Sequence, residues 1–179
     1  MDTFLLKGKP VADKLRNELK IRVNKLASEG IIPQLAAILI GDDPASQVYV
    51  KNKSRAFEKL NCKSQTFQFS INTHEQKILD LINELNHNMN IHGILVQLPL
   101  PRNLDSKKIL HSVLPEKDVD GFHPYNLGSL LEGCPKFIPC TPHGVLEILK
   151  YYNISVSGRH AVIVGRSNIV GKPLFALLT

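Results

Sequence analysis

Short apolar runs alternate along the chain with segments whose apolar residues recur at helical spacing. The runs are Leu35–Ile40, Gly93–Gln97 and His160–Val164. The second of them is apolar up to its last residue, which is a glutamine. Runs of this length without polar alternation are typical of strands that are covered on both faces of a parallel sheet. Residues 65–71, which alternate apolar and polar, predict an edge strand. Strands in alternation with helices predict an α/β fold with a parallel sheet.

Five segments have the apolar spacing and the capping residues of amphipathic helices, and Gly30 is placed to end the first of them. They begin at Pro10, near Ala45, at a capping box formed by Thr73 and Gln76, at Asp105, and at Thr141 followed by Pro142. Gly158 then turns the chain into the His160–Val164 run, and we place a domain boundary near the helix at Thr141.

The helix over residues 45–60 contains a lysine within its apolar stripe. The stripe comprises Tyr49, Lys53, Ala56, Phe57 and Leu60. A lysine in this position either extends its ammonium to water at the edge of the stripe or faces a cleft together with Tyr49. The spacing alone favours the first interpretation.

A single glutamine ends the Gly93–Gln97 run, and prolines follow at positions 99 and 101. Proline has no backbone N–H, so a central strand cannot continue past this point. Gln97 therefore lies at the carboxyl end of a strand, where open α/β sheets bind ligands. A buried glutamine must pair within the protein or meet a ligand, and on this segment alone a strand end capped by prolines is the simpler interpretation.

Two polar segments come after apolar ones and are candidates for ligand binding. The loop over residues 115–124 carries Asp118 and Asp120, and its length does not decide between solvated surface and a site. Residues 165–173 connect an apolar run to a helix start, with glycines only at the first and seventh positions. Backbone N–H groups and the helix dipole favour a phosphate at such a turn, although a plain connection competes with this interpretation.

Composition narrows the possible classes of protein. The chain has 179 residues, a formal charge of +6 and 43% hydrophobic residues. The basic residues are scattered without interleaved aromatics, which argues against nucleic-acid binding. Three cysteines without C-x-x-C spacing predict neither a disulfide framework nor a metal site, and fit a reducing cytoplasm. The N-terminus lacks a basic segment before an apolar one, and no stretch is long enough to span a membrane, so we expect no signal peptide and no membrane partner.

Separate motifs occur in an order that resembles one family, the bifunctional methylenetetrahydrofolate dehydrogenase/cyclohydrolases. The matching segments are Gly41–Lys53, Gly93–Pro101, Pro115–Pro124, Pro139–Pro142 and Gly165–Pro173. They are spread over residues 41–173, and their joint order is far more specific than any one of them.

The resemblance implies a folate-binding catalytic domain over residues 1–140, followed at 141–179 by the beginning of a Rossmann-like NADP-binding domain that is incomplete in this chain. It also implies a cleft between the domains. The expected function is NADP-dependent oxidation of 5,10-methylenetetrahydrofolate to the methenyl form, followed by hydrolysis to 10-formyltetrahydrofolate. The family further implies a cytoplasmic homodimer.

The family's functional residues match individual positions of this chain. Lys53 matches the catalytic lysine, Gln97 the glutamine that hydrogen-bonds it, and Tyr49 the tyrosine that stacks on the folate. The resemblance also assigns substrate binding to Val96, Leu98 and Asp120, and NADP binding to Gly165, Arg166 and Ser167. It assigns no metal.

Three alternatives stay open at this stage. The first is a catalytically weak folate-binding fragment that lacks a complete cofactor domain, and we expect the chain to be part of a longer protein. The second is a dehydrogenase for another small substrate, which gives no reason for Tyr49, Lys53, Gln97 and Asp120 to occur together. The third, a basic nucleic-acid-binding module, lacks the aromatic and basic clusters of such proteins.

Overall fold

A parallel sheet of three strands, in the order β2–β1–β3, forms the centre of residues 19–119. The strands are β1 (Gln34–Ile40), β2 (Lys63–Phe69) and β3 (Gly93–Val96). β1 pairs with β2 from Gln34↔Lys63 to Ile40↔Phe69, and with β3 from Leu35↔Gly93 to Ile38↔Val96. The predicted α/β class with a parallel sheet is confirmed.

The computed structural model of the protein describes residues 3–179. Residues 1 and 2 lie outside this range. They belong to the N-terminal segment for which the sequence predicts no signal peptide. The helices are α1 (Gly8–Ser28), α2 (Pro44–Glu58), α3 (Glu75–His87), α4 (Ser106–Ser112), α5 (Pro124–Leu131), α6 (Cys140–Tyr151) and α7 (Gly171–Leu178).

The chain forms two compact units. One contains Leu19–Val119, and the other contains the residues up to Glu18 together with Asp120–Thr179. The first therefore holds the sheet, α2, α3 and α4, and the second holds α5, α6 and α7. The predicted boundary between residues 140 and 141 stays a prediction.

The two faces of the sheet are covered by different helices. On one face Ile38 packs in a cluster with Ile82 of α3 and Ile109 of α4. On the other face Ala37 and its neighbours pack against Val50 of α2. β1 contributes side chains to both clusters, and each fully buried leucine or isoleucine contributes roughly 1.5–3 kcal/mol.

The glycine predicted to end α1 lies two residues after the last residue of the helix, Ser28. Gly30 has a φ of 79°, its N–H donates to Ala27 O at 3.0 Å, and the N–H of Ile31 donates to Leu26 O at 2.9 Å. These two bonds satisfy carbonyl groups that the helix itself leaves unpaired, and the left-handed conformation at this position favours glycine.

The predicted N-caps have different outcomes. Asp105 caps α4 as predicted, accepting from the N–H groups of Lys107 at 3.0 Å and Lys108 at 3.1 Å. The capping box at Thr73 is wrong, because α3 begins only at Glu75 and the Thr73 hydroxyl instead lies 3.3 Å from the hydroxyl of Ser70. Ser70 and Thr73 form a turn in which the Thr73 N–H donates to Ser70 O. The Thr73 side chain therefore belongs to this turn and does not form the helix cap that the sequence pattern predicts.

Other helix starts are close to the prediction. α1 begins at Gly8, two residues before Pro10. α6 begins at Cys140, two residues before the predicted first position at Pro142, so Thr141 lies inside the helix and is not its predicted N-cap. Differences of this size are common where helix ends fray. The sequence reasoning did not predict α5, which has His123 as its N-cap.

The predicted strand at His160–Val164 is wrong. In the part of the chain that the structure describes, no strand pairs with this segment, and it has no regular secondary structure. Val162 is 76% exposed and Val164 is 99% exposed. An apolar run becomes a strand only when another strand satisfies its backbone hydrogen bonds, and residues 3–179 provide no such neighbour for this segment.

Candidate functional site

The N-terminus of α2 positions the first two candidate residues. Pro44 begins the helix, and Asp43 caps it by accepting from the Ser46 N–H at 2.7 Å. This hydrogen bond lowers the pKa of the Asp43 carboxyl. Because Tyr49 and Lys53 lie one helical turn apart, their side chains share a face, and Lys53 Nζ is 5.1 Å from the centre of the Tyr49 ring.

The buried stripe of α2 differs from the predicted one. The residues that α2 buries are Ser46 and Val50, whereas Tyr49 is 60% exposed. Lys53 is half-buried, three residues after Val50 and four before Phe57, which packs against the same cluster as Val50, so the lysine lies on that side of the helix. Its ammonium contacts the face of an exposed aromatic ring, an arrangement that stabilises a cation.

Gln97 continues the ladder of β3 by one residue. Its N–H donates to Ile38 O at 2.9 Å. Along β3, Val96 packs in the cluster of α3 and α4, and Leu95 packs in the cluster of α2. Strand alternation therefore places the Gln97 side chain on the face of the sheet that α2 covers.

The predicted hydrogen bond between Gln97 and Lys53 is absent. Gln97 Nε2 donates to the carbonyl oxygen of Leu98 at 2.7 Å, and Gln97 Oε1 is buried with no hydrogen-bond partner among the described residues. The Lys53 ammonium lies against Tyr49 instead. A buried acceptor without a partner costs about 1–3 kcal/mol, so this oxygen is a strong acceptor for a ligand or for a reoriented Lys53.

The two other residues from this strand end differ in their accessibility. The Val96 side chain is buried in the core, so a ligand can reach it only through its backbone. Leu98 is half-buried, and its peptide bond to Pro99 is cis.

Of the two loop aspartates, Asp118 is 6% exposed and pairs its backbone with Ile94 of β3. This pairing holds the loop against the outer edge of β3. Asp120 is half-buried and belongs to the other compact unit, where the next residue, Gly121, has a φ of 69° and approaches the backbone of Pro139 closely.

The turn before α7 has a tight backbone. A Cβ on Gly171 would overlap the carbonyl oxygen of Gly165, so only glycine fits there. Ser167 Oγ accepts from the N–H groups of Val170 at 3.1 Å and Gly171 at 3.3 Å, and so orders the turn that leads into the helix. Arg166 is exposed and has no ion-pair partner in residues 3–179.

Residues 3–179 offer neither a metal site nor a membrane span. They contain no cluster of histidine, cysteine, aspartate or glutamate with the arrangement of a metal site. None of their helices has the length and apolar character that crossing a membrane requires.

One contact near β3 was not predicted from the sequence. The ammonium of Lys117 donates to Leu85 O and Asn88 O, both at 2.8 Å, at the end of α3. The lysine stands in a run of charged residues that is typical of a loop, and no local pattern connects it with a helix about 30 positions earlier.

Comparison with known proteins decides the family. The family profile described as the catalytic domain of tetrahydrofolate dehydrogenase/cyclohydrolase matches residues 6–120. The chain belongs to this family. The NAD(P)-binding domain of the tetrahydrofolate dehydrogenase/cyclohydrolases matches residues 139–179, and the predicted family is thereby confirmed.

Individual members of the tetrahydrofolate dehydrogenase/cyclohydrolase family agree over nearly the whole chain. The bifunctional protein FolD of Streptococcus pyogenes is 51% identical over 177 residues, which are 98% of this chain and 62% of that protein. The crystal structure of the bifunctional enzyme FolD from Campylobacter jejuni matches with a TM-score of 0.95 and 49% identity, over 98% of this chain and 62% of that one.

A third relative carries a bound cofactor. The Trypanosoma brucei N5,N10-methylenetetrahydrofolate dehydrogenase-cyclohydrolase, complexed with NADP cofactor and inhibitor, matches with a TM-score of 0.95 and 31% identity, over 99% of this chain and 61% of that one. The chain thus spans about three fifths of the length of these family members.

Proposed function

We propose that the chain belongs to an enzyme that oxidises 5,10-methylenetetrahydrofolate with NADP and hydrolyses the methenyl product to 10-formyltetrahydrofolate. One observation carries the proposal. In a member of the tetrahydrofolate dehydrogenase/cyclohydrolase family, Lys53 lies against an exposed tyrosine on α2, and a buried, unpartnered glutamine oxygen lies on the face of the sheet that α2 covers. These are the polar groups that the hydrolysis needs.

Tyr49 provides a surface for the folate. Its ring is largely exposed and can therefore stack on the aminobenzoate ring of the substrate. Because the helix already holds its backbone, this stacking costs little conformational entropy. Leu98 and the backbone of Val96 border the same strand end. In this proposal Asp120 accepts hydrogen bonds from N–H groups of the pterin, because a carboxylate pairs well with such donors.

Lys53 is the group that moves protons in the hydrolysis. Water attacks the amidinium carbon of the methenyl compound, and the ring then opens as a proton passes to the departing nitrogen. A lysine amine held beside the carbon can take a proton from the water and return it. The Gln97 amide can accept from the ammonium or donate to the neutral amine, so it can orient Lys53 in both states.

The residues before α7 fit a dinucleotide. Glycines at 165 and 171 let two stretches of backbone approach closely, and the exposed Arg166 has no competing partner in the described chain. NADP, when bound, would supply the acceptor for the hydride that leaves the methylene carbon of the substrate. Arg166 supplies a planar cation for its 2′-phosphate, and Gly165 and Ser167 shape the turn beside it.

The decisive experiment compares two lysines of the same helix. Lys53→Met should lower cyclohydrolase turnover by at least about 100-fold, since it removes the acid–base group. Lys51→Met, on the exposed side of α2, should leave turnover unchanged. Turnover is measured by the loss of methenyltetrahydrofolate absorbance. Undiminished turnover in Lys53→Met contradicts the assignment.

NADPH formation from methylenetetrahydrofolate tests the first reaction. We expect Arg166→Ala to raise the KM for NADP about tenfold and to leave the KM for NAD nearly unchanged, because only NADP carries the additional phosphate. Folate binding without either reaction would favour the alternative of a weakly active fragment. The proposed homodimer is checked by light scattering during size-exclusion chromatography, and the proposed cytoplasmic location by fractionation of cells.

A further inference from the structure

The C-terminal end of α3 holds a charged side chain from a distant loop. Lys117 Nζ donates to Leu85 O in the last turn of α3 and to Asn88 O just beyond it, both at 2.8 Å. Carbonyl groups at this end of a helix lack intrahelical partners and carry partial negative charge, so a cation is favoured there. Lys117 is half-buried, and this burial lowers the pKa of its ammonium.

The backbone of the same residue forms the outer edge of β3. The N–H of Ile94 donates to Lys117 O at 2.7 Å, and Asp118 forms a parallel bridge with Ile94. Val119 fills the space beside Gly93 so closely that a Cβ on this glycine would overlap its Cγ1. β3 is therefore held by β1 on one side and by residues 117–119 on the other.

A neutral contact supports the same loop. Asn86 Nδ2 donates to Ser112 O at 2.8 Å, and its Oδ1 accepts from the Leu114 N–H at 3.0 Å. Leu114 O in turn accepts from the N–H groups of Lys117 at 2.8 Å and Asp118 at 3.0 Å. The loop is thus fastened to α3 by one amide and one ammonium, and the ammonium lies on the residue that pairs with β3.

The position of β3 determines the position of Gln97, the residue directly after the strand. Gln97 is three residues after Ile94, and its Oε1 has no partner among the described residues that would hold it independently of the strand. Its backbone N–H is bound to Ile38 O on the β1 side. β1 therefore holds the backbone of Gln97 on one side, while residues 117–119 hold the outer edge of the strand that leads to it.

We propose that Lys117 is a positioning residue for Gln97. Its ammonium joins the end of α3 to the outer edge of β3 and so sets where the strand end presents the Gln97 amide. Lys117 touches neither substrate nor cofactor in this role. Its effect on catalysis rests on the proposed function, whereas its effect on the strand does not.

The test measures amide hydrogen exchange by NMR in the full chain. In Lys117→Met we expect the N–H groups of Ile94 and Gln97 to exchange at least about tenfold faster, because the loop loses two charge-assisted hydrogen bonds. The matched control is Lys108→Met, which removes an ion pair of 2.7 Å between α4 and Glu75 at the opposite end of α3. It should leave both amides within about threefold of the wild type.

Two more variants complete the series. Lys117→Arg keeps the charge and should restore most of the protection. Lys117→Gln keeps a neutral donor without the charge, and it replaces the methionine variant in the comparison if that variant does not fold. If the exchange rates of Ile94 and Gln97 stay the same when the charge of Lys117 is lost, the proposal is overturned. It is also overturned if Lys108→Met raises these rates as much as Lys117→Met does.

Cyclohydrolase kinetics on the same variants connect the strand to the chemistry. We expect Lys117→Met to lower kcat about tenfold with little change in KM, since a misplaced Gln97 affects the reacting groups more than substrate binding. If the wild type shows no turnover, the proposed function fails, and the exchange data still decide the role of Lys117. If the wild type turns over and the exchange is unchanged, only the positioning role fails.

Discussion

Residues 35–40 and residues 160–164 are both short apolar runs, yet they occupy opposite environments. The first is the central strand β1, paired on both sides and buried along its whole length. The second pairs with no strand in the described part of the chain, and Val164 is almost fully exposed. Apolar composition alone therefore does not make a strand, because each backbone N–H and C=O also needs a partner.

The same difference separates the two candidate sites. Tyr49, Lys53 and Gln97 lie on or next to the paired sheet, which fixes their backbones through α2 and β3. The turn at Gly165 comes after the unpaired run, and its local order comes from Ser167 and the start of α7. The folate side of the proposed function thus rests on a complete packing unit, and the NADP side rests on a local turn.

The sharpest test of this comparison removes side-chain atoms from each run. Ile38→Ala should lower the free energy of unfolding by about 2–5 kcal/mol, because it leaves a cavity between two packed layers. Val164→Ala should change it by less than about 0.5 kcal/mol, since the side chain is exposed. Urea denaturation followed by circular dichroism gives both values. Similar losses for the two variants would show that residues 160–164 pack in solution.

A second test adds atoms where the sheet leaves no room. Gly93→Ala should cost about 1–3 kcal/mol of unfolding free energy, because its Cβ would displace Val119. Gly144→Ala is the matched control, since this glycine of α6 has open space around it. The alanine should raise the free energy of unfolding by about 0.5–1 kcal/mol. The two variants are compared by thermal and urea unfolding. A tolerated alanine at 93 would mean that the Val119 edge of β3 is loose.

A third test compares two residues with similar capping signatures. Asp105→Ala should destabilise the protein by about 1 kcal/mol, because Asp105 accepts from two N–H groups of α4. Thr73→Ala should cost less than about 0.5 kcal/mol, since Thr73 caps no helix. The difference is measured from the urea midpoints of the two variants, provided that the dependence of the unfolding free energy on urea concentration is the same in both. The reverse order would restore the capping box that the structure contradicts.

The smallest expected effect concerns acid pH. The pKa of Asp43 is lowered in the folded state, mainly by the Ser46 N–H, so its contribution to stability is present above the unfolded pKa of about 3.9 and is lost as the pH falls through the lower folded value. Amides at the start of α2 should lose protection in this window. Those of Val170 and Gly171 at the start of α7, which donate to the non-titrating Ser167 hydroxyl, should not.

Asp43→Asn provides the control for this measurement, because it keeps an acceptor at the cap but does not titrate there. Its α2 amides should show a flatter response as the pH is lowered through the same window, followed by NMR. An identical acid response in the wild type and the asparagine variant would mean that Asp43 is not the group responsible.

Local signals in the sequence predicted much of the fold. The start of α2 near Ala45, the glycine end of α1 and the Asp105 cap each involve groups within about one helical turn, so neighbouring residues suffice to specify them. The buried strands β1 and β3 were predicted from unbroken apolar runs, and the identity of the site residues came from the family motifs.

The structure alone decided which groups meet. Val50 rather than Tyr49 faces the sheet, Gln97 turns to Leu98 rather than to Lys53, and the ammonium of Lys117 reaches the end of α3. Each outcome depends on where another element lies in space, so no local pattern contains it. The sequence by itself determined most of the elements, apart from α5 and the segment at 160–164, together with the side-chain chemistry that they carry. The tertiary structure determined their partners, because hydrogen bonds and packing form between segments that are distant in the chain.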